Sequence, residues 1–508
     1  MIKKSINRAA ILAPWLALLV LVPAGVAAVS VAPLMLQSGN GVWVDAVHGS
    51  DSGGSSGSRS RPFATVSNAV QAASYGDTVF VLPGSYTNEN GLLKPGVNIH
   101  FHAGSLIVYT NTATTNGAGF VNGMFDDRLI GPTTNWLTGN GRFIYQGGTL
   151  TNNSAGGFGS GNDTVLGCLV ITNSGSRVLL EADSIQLDSH LYNQQTYAAY
   201  VGECTNVVVD VGEVIDIGGQ RVQTGVDEFS SAVFGSSTSG GIYWESGDMT
   251  VRCNRMIVGV YGVYAAEVID RASRLDYQID YMENRGTEGT VYLLGDGGMS
   301  ANWSTWGVCN EIIGTNASSA GGWSAYYQGK HYLRAGKVSN PNASASAVQI
   351  LGNSSGGTLK AWVTVQKASA AGSGYSTSAT GSDVPLGFIE IDHYESLAGG
   401  AKAMTFDGGK SWVKGGAGIM TNGTCIQFTS GNATVSGFHG YSVTNSPVII
   451  AASGLQLRNC SLVNSNKANT VYAASALSAL AYDCIGSQPP HANATVTGLT
   501  TNNAITFP

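Results

Sequence analysis

Charge is scarce in this chain. Of its 508 residues only 11% are Asp, Glu, Lys or Arg, and 25 basic residues stand against 32 acidic ones for a formal net charge of −7. That balance provides no basic footprint for a phosphate backbone, so nucleic acid is not expected as a partner. Proline is sparse as well, with 13 residues. The seven cysteines, Cys168, Cys204, Cys253, Cys309, Cys425, Cys460 and Cys484, are odd in number, far apart and without a CxxC, which excludes a small disulfide framework. They read as small buried hydrophobes within strands, one or two disulfides remaining open if the chain is exported. What the chain does have is 43% hydrophobic residues, enough for a large core, and 69 glycines, which favour short strands and tight turns over long helices. Its surface must then be mostly Ser, Thr, Asn and Gly, better suited to hydroxyl-rich partners than to phosphates.

The N-terminus carries Lys3, Lys4 and Arg8 before AAILAPWLALLVLVPAGVAA. A positive segment followed by an apolar run ending in small residues reads as a secretory signal peptide cleaved after Ala28. Continued to Leu36, the run is long enough for a membrane anchor, though Pro14, Pro23 and Pro33 weaken such a helix. A hydrophobic tail buried in a larger assembly is the third reading. Each places the body outside the cytosol or on a particle. The expected organisation is signal or anchor over 1–28, N-terminal cap and first coils over 40–130, body over 131–490 and tail over 491–508.

After Asn40 the pattern is strand, Gly/Ser loop, short helix, strand, turn. Val42 and Val44 alternate, Phe63, Val66, Ala69, Val70 and Ala73 have helical spacing, and Thr78 to Leu82 form an apolar strand closed by Pro83-Gly84. The order GVWVDAVHGSD…RPFATVSNAV…GDTVFVLPGSY resembles the N-terminal segment of the pectin-lyase-like right-handed β-helix superfamily, in which the helix caps the first coil. LLKPGVNIHFHAGSLIVYT, GMFDDR and GNGRFIYQGG are similar to the first coils of phage tailspike-like members. The resemblance implies the fold and says little of activity, because that superfamily holds lyases, hydrolases, epimerases and non-catalytic spikes. It also leaves a homotrimer open.

Internal repeats point the same way. VVVDVGEVI from Val207, TVRCNRMI from Thr250, LDYQIDYM from Leu275 and GVCNEII from Gly307 can be laid under one another, setting Cys253 over Cys309. The strands GIYWES, GVYAAE, TVYLLG and SAYYQG follow, aligning Tyr243, Tyr264, Tyr292 and Tyr326 at intervals of 21, 28 and 34 residues. Repeats of that size cannot bury their faces alone and must stack. The expected fold is therefore all-β, a single-stranded right-handed parallel β-helix with a short capping helix. A β-sandwich, the rival, would not yield an ordered series of near-copied strands.

The repeat alignment puts Glu213, Arg255, Asp280, Glu311 and Lys337 in one column. Mixed signs make this a ladder of paired surface charges rather than a carboxylate cluster. The aligned tyrosines either fill the core or line an outer groove where a flat ring with a polar tip suits a sugar. Trp244 must face the side opposite Tyr243. The long segment 219–248 carries Asp227, Glu228, Glu245 and Asp248 beside Phe229, Phe234 and Trp244. Glycosidases need two carboxylates across the scissile bond, so these four are the candidate catalytic residues. Tyr243, Trp244, Tyr264, Tyr292 and Tyr326 are the candidate carbohydrate-binding ones. His100 and His102 lack the further ligands a metal needs, and Asp126, Asp127 and Arg128 read as a local ion pair at a turn. No metal or organic cofactor is expected. The functional expectation is an extracellular, cell-surface or virion protein that recognises, and in one version cleaves, a polysaccharide. A secreted lyase or hydrolase and a purely structural surface protein are the alternatives.

Overall fold

The computed structural model describes residues 40–52, 56–110, 121–146, 165–188, 195–217, 239–259, 261–267, 272–286, 289–295, 302–315, 321–341, 346–352, 359–379, 385–443, 446–466, 469–473 and 475–501. The N-terminal signal or anchor segment lies outside them. Among the described residues there is one helix, and no helix is long and apolar enough to cross a membrane. All the other described elements are strands, from Gly41–Val44 to Ala494–Thr501.

The helix, Val66–Ala72, begins at Thr65, whose side chain accepts the amide of Asn68. Its buried Val66, Ala69 and Val70 repeat at helical spacing. Phe63 lies before the helix, in a parallel bridge with Val44. Glu89, almost fully buried, accepts the amides of Val66 and Ser67 at 2.8 and 2.7 Å and so satisfies two first-turn donors. The first strand, Gly41–Val44, pairs in parallel with Thr78–Val81, which pairs with Asn98–Phe101.

From there the chain repeats one path. A long strand such as Asp248–Val258 pairs in parallel with Asn206–Asp216 on one side and Arg274–Asn284 on the other. A short strand such as Val263–Glu267 pairs with Ser239–Trp244 and Val291–Gly295. Through the middle of the chain the sequence neighbour of a strand is thus not its main partner, whereas the last two strands, Leu477–Gly486 and Ala494–Thr501, pair with each other. The chain leaves one sheet, visits another and returns a rung further on. The long strands are bent, because inward and outward positions alternate until two consecutive residues face out, as at Asn254 and Arg255. The pairing skips the same slot on every rung, occupied by Asp183, Gly212, Asn254, Asp280, Asn310, Gly336, Gln366 and Asp392. Each long strand therefore serves two sheets and the short strands a third. This nearly all-β stack of parallel strands is compatible with a β-helix.

The core is built of vertical columns. Val209, Val251, Tyr277, Gly307, Leu333 and Val363 are in register and face inward. Gly307 has to be small, since a Cβ there would lie 2.3 Å from the Tyr277 hydroxyl, which accepts a 3.0 Å bond from Trp323 Nε1. All seven cysteines are buried and free. Cys253 and Cys309 share a column, with Ile279 between them, so they are two rungs apart and do not touch as neighbours.

The expected charge column needs one correction. Glu213, Arg255, Glu311 and Lys337 are in register, but the third position is Tyr281, not Asp280. The segment from Leu275 was aligned one residue out of step, and a one-residue slip moves a strand residue to another slot. Asp280 belongs to the corner, where Asn310 Nδ2 donates to it at 3.3 Å.

Candidate ligand-binding surface

The tyrosine strands present two faces. In Ser239–Trp244, Ile242 and Trp244 are fully buried, whereas Tyr243 is half-buried. Trp244, expected at an outer site, instead packs inside with Trp303 at a centroid distance of 5.9 Å. With a period of two, only one of two successive side chains can face outward, and the larger apolar one is taken into the core. Tyr243, Tyr264 and Tyr292 do stand in register, their rings 4.9 and 5.7 Å apart. The column begins a rung earlier than the repeats suggested, at Tyr200, stacked on Tyr243 at 5.0 Å. Tyr326 is not a member by register. Ser324 lies opposite Tyr292, and Tyr326 lies opposite Leu294, although its buried ring still reaches Tyr292 at 4.6 Å.

Glu245 sits at the end of this column. Tyr200 donates to its Oε1 at 3.1 Å, and the Tyr243 hydroxyl bonds to it as well. Burial raises the carboxyl above its ordinary range, and the two phenol bonds oppose that shift only in part. Asp248 is exposed at the start of the next strand, opposite Arg274 in register. Asp227 and Glu228 lie outside the described residues, so of the four candidate carboxyls it is Glu245 that the structure shows perturbed, with two phenolic partners.

The remaining candidates are structural in character. Arg128 pairs with Asp126. Asp127 is fully buried and accepts from the amides of Thr172 and Asn173 at 2.8 and 3.2 Å and from Ser176 Oγ at 2.7 Å, tying the turn of the next rung. His100 Nδ1 meets Thr138 Oγ1 at 3.2 Å, and its pKa is lowered, chiefly by burial. In the charge column Arg255 pairs with Glu213 at 2.9 Å, the partly exposed ion pair expected there.

The most distinctive surface was not among the expected residues. On the outer face of the first half of the long strands, Trp306, Tyr332, Trp362, Phe388 and Trp412 occupy one register column. Their rings are nearly parallel, with centroids 3.8, 4.6, 5.5 and 4.9 Å apart and interplanar angles of 6–11°. Trp306, Phe388 and Trp412 remain 37–43% exposed. The Arg274 guanidinium covers the first ring at 5.5 Å. A sequence signature exists. Lys330-His331-Tyr332, Lys360-Ala361-Trp362 and Lys410-Ser411-Trp412 repeat a Lys-x-aromatic pattern, with a small or short residue or a histidine facing inward between the outward pair.

No known family model, curated protein or solved structure matches this chain.

Proposed function

We propose that this chain is a right-handed parallel β-helix of the pectin-lyase-like, tailspike-like kind, displayed outside a cell or on a virion, and that it recognises a polysaccharide through its outer side. The observation that carries this reading is the exposed five-ring ladder from Trp306 to Trp412. A rigid stack offers an extended ligand an extended, repeating surface. Five large aromatic side chains left at a water-facing position in one column are also an uncommon use of surface. The test is a glycan array probed with the full chain and with Trp362→Ala. Binding that the substitution weakens supports the reading. An array on which the full chain binds no glycan refutes it and favours a structural role.

A second reading, cleavage, is favoured by Glu245. A carboxyl whose pKa is raised by burial, beside two phenols, has the character of a general acid. Reducing-end release from an array-positive glycan, lost in Glu245→Gln while binding is kept, would support it. Release unaffected by the substitution would place any chemistry elsewhere.

A further inference from the structure

The ladder has a property that decides what kind of glycan it can take. Because the rings stack nearly parallel, each covers its neighbour's face, and ring edges turn to water. Sugars and nucleic-acid bases stack on aromatic faces, and those faces are already occupied here. The edge of an aromatic ring is the positive end of its quadrupole, and indole adds an N–H donor.

Cations flank the ladder on both sides. Two residues before each ring the register column runs Ser304, Lys330, Lys360, Leu386, Lys410, and two residues after it Val308, Arg334, Thr364, Glu390, Lys414. With Arg274 and Asp276 on the preceding rung, the stripe holds six cations (Arg274, Lys330, Arg334, Lys360, Lys410, Lys414) and two carboxylates (Asp276, Glu390). Both carboxylates are already paired, Asp276 with Arg274 at 2.8 Å and Glu390 with Lys414 at 3.1 Å. Among the described residues no carboxylate pairs with Lys330, Arg334, Lys360 or Lys410. In a chain of net charge −7, six cations minus two carboxylates leave a stripe of +4 lying on a file of ring edges.

We propose that this stripe is a binding site for an acidic polysaccharide, one bearing carboxylate or sulfate groups, whose chain runs across the strands from the Trp306 rung to the Trp412 rung. The inference rests on the glycan-recognition reading and narrows it. Successive rungs are separated by one strand spacing, about 4.8 Å, so a charged polymer crossing the strands meets a ring edge on every rung and cations on the Tyr332, Trp362 and Trp412 rungs. The lysines supply the attraction, and the ladder holds them on a rigid, apolar ridge where their fields are less screened than on a flexible loop.

The test uses the full chain, with a sulfated glycosaminoglycan, a polyuronate, neutral dextran and single-stranded oligothymidine as probes, by titration calorimetry at two salt concentrations. The expected result is binding to at least one acidic polysaccharide, none to dextran, and affinity that falls as salt rises. The triple substitution Lys330→Gln, Lys360→Gln, Lys410→Gln should weaken that binding at least tenfold and make its salt dependence shallower. The corresponding triple Lys→Arg variant should bind nearly as the parent does. Lys330 and Lys410 are exposed and Lys360 is half-buried at an outward position, so the variants should keep the circular dichroism of the parent. Preference for dextran, or unchanged binding by the Gln variant, overturns the charge assignment while leaving glycan recognition standing. Binding of oligothymidine alone, or of none of the four alongside a blank glycan array, overturns both.

Discussion

Trp362→Ala probes the ladder as a physical object. Trp362 is stacked on Tyr332 at 4.6 Å and on Phe388 at 5.5 Å, with interplanar angles of 6° and 9°. Each such pair contributes about 0.5–1.5 kcal/mol beyond area burial, and the half-buried indole adds a transfer contribution, so the loss should be about 2–4 kcal/mol. In a stack, a rung touches only its neighbours, which makes the loss local. Amide hydrogen exchange should speed up, roughly tens to several hundredfold, in Gly329–Asn340, Leu359–Ala370 and Leu386–Ser396, and stay unchanged in Asn98–Phe101. Trp362→Phe should recover most of the protection. Tyr332→Ala combined with Trp362→Ala should destabilise by less than the sum of the two single changes. Unchanged exchange around Trp362, or loss of protection spread evenly along the chain, would show that the ladder does not stabilise its own rungs.

Three further outcomes follow from buried groups. His331 is fully buried between Thr305 Oγ1 and the Gln328 carbonyl, and burial lowers its pKa to about 4. It stays neutral while the unfolded chain takes up a proton, so stability is full above about pH 6.5 and falls by about 3 kcal/mol as pH drops toward 4. His331→Gln should flatten that part of the urea-midpoint profile, and an unaltered profile would contradict it. Asp127→Ala strands the donors of Thr172, Asn173 and Ser176 and should cost about 2–4 kcal/mol. Exchange in Val165–Ile171 and the turn after it is the readout, and parental protection there would count against it. Cys253 and Cys309, pushed up to about 12 by burial, and the other buried thiols should resist a thiol reagent in the native protein and react on unfolding; rapid native labelling of most would contradict the packing.

The sequence disclosed the architecture because the architecture is itself a repetition. CNRMI and CNEII sit two rungs apart in one column, and Tyr243, Tyr264 and Tyr292 stand where their spacing put them. The helix from Val66 was legible from its apolar spacing. What failed was fine register. The Leu275 segment has no near-copied letters, and the bend at Asp280 breaks the alternation that would have fixed it, so Asp280 was placed where Tyr281 stands. Trp244 and Tyr243 could be assigned to opposite faces but not to inside and outside, since both are large and aromatic. The outer ladder went unseen for another reason. Trp306, Tyr332, Trp362, Phe388 and Trp412 recur every 24 to 30 residues across loops of unequal length, and only the rung-to-rung pairing shows that they form one file.

An acidic glycan lying on the Trp306–Trp412 file would shield its ring edges from solvent. Hydroxyl-radical footprinting of the full chain, with and without an acidic polysaccharide, reads that shielding. Trp244, Trp303 and Trp323 are fully buried and serve as internal controls. Oxidation of Trp306, Trp362 and Trp412 should fall together on adding the glycan, while that of Tyr200 and Tyr264 in the tyrosine column stays unchanged. Protection of the tyrosine column with the three tryptophans still oxidised as in the free chain would contradict it.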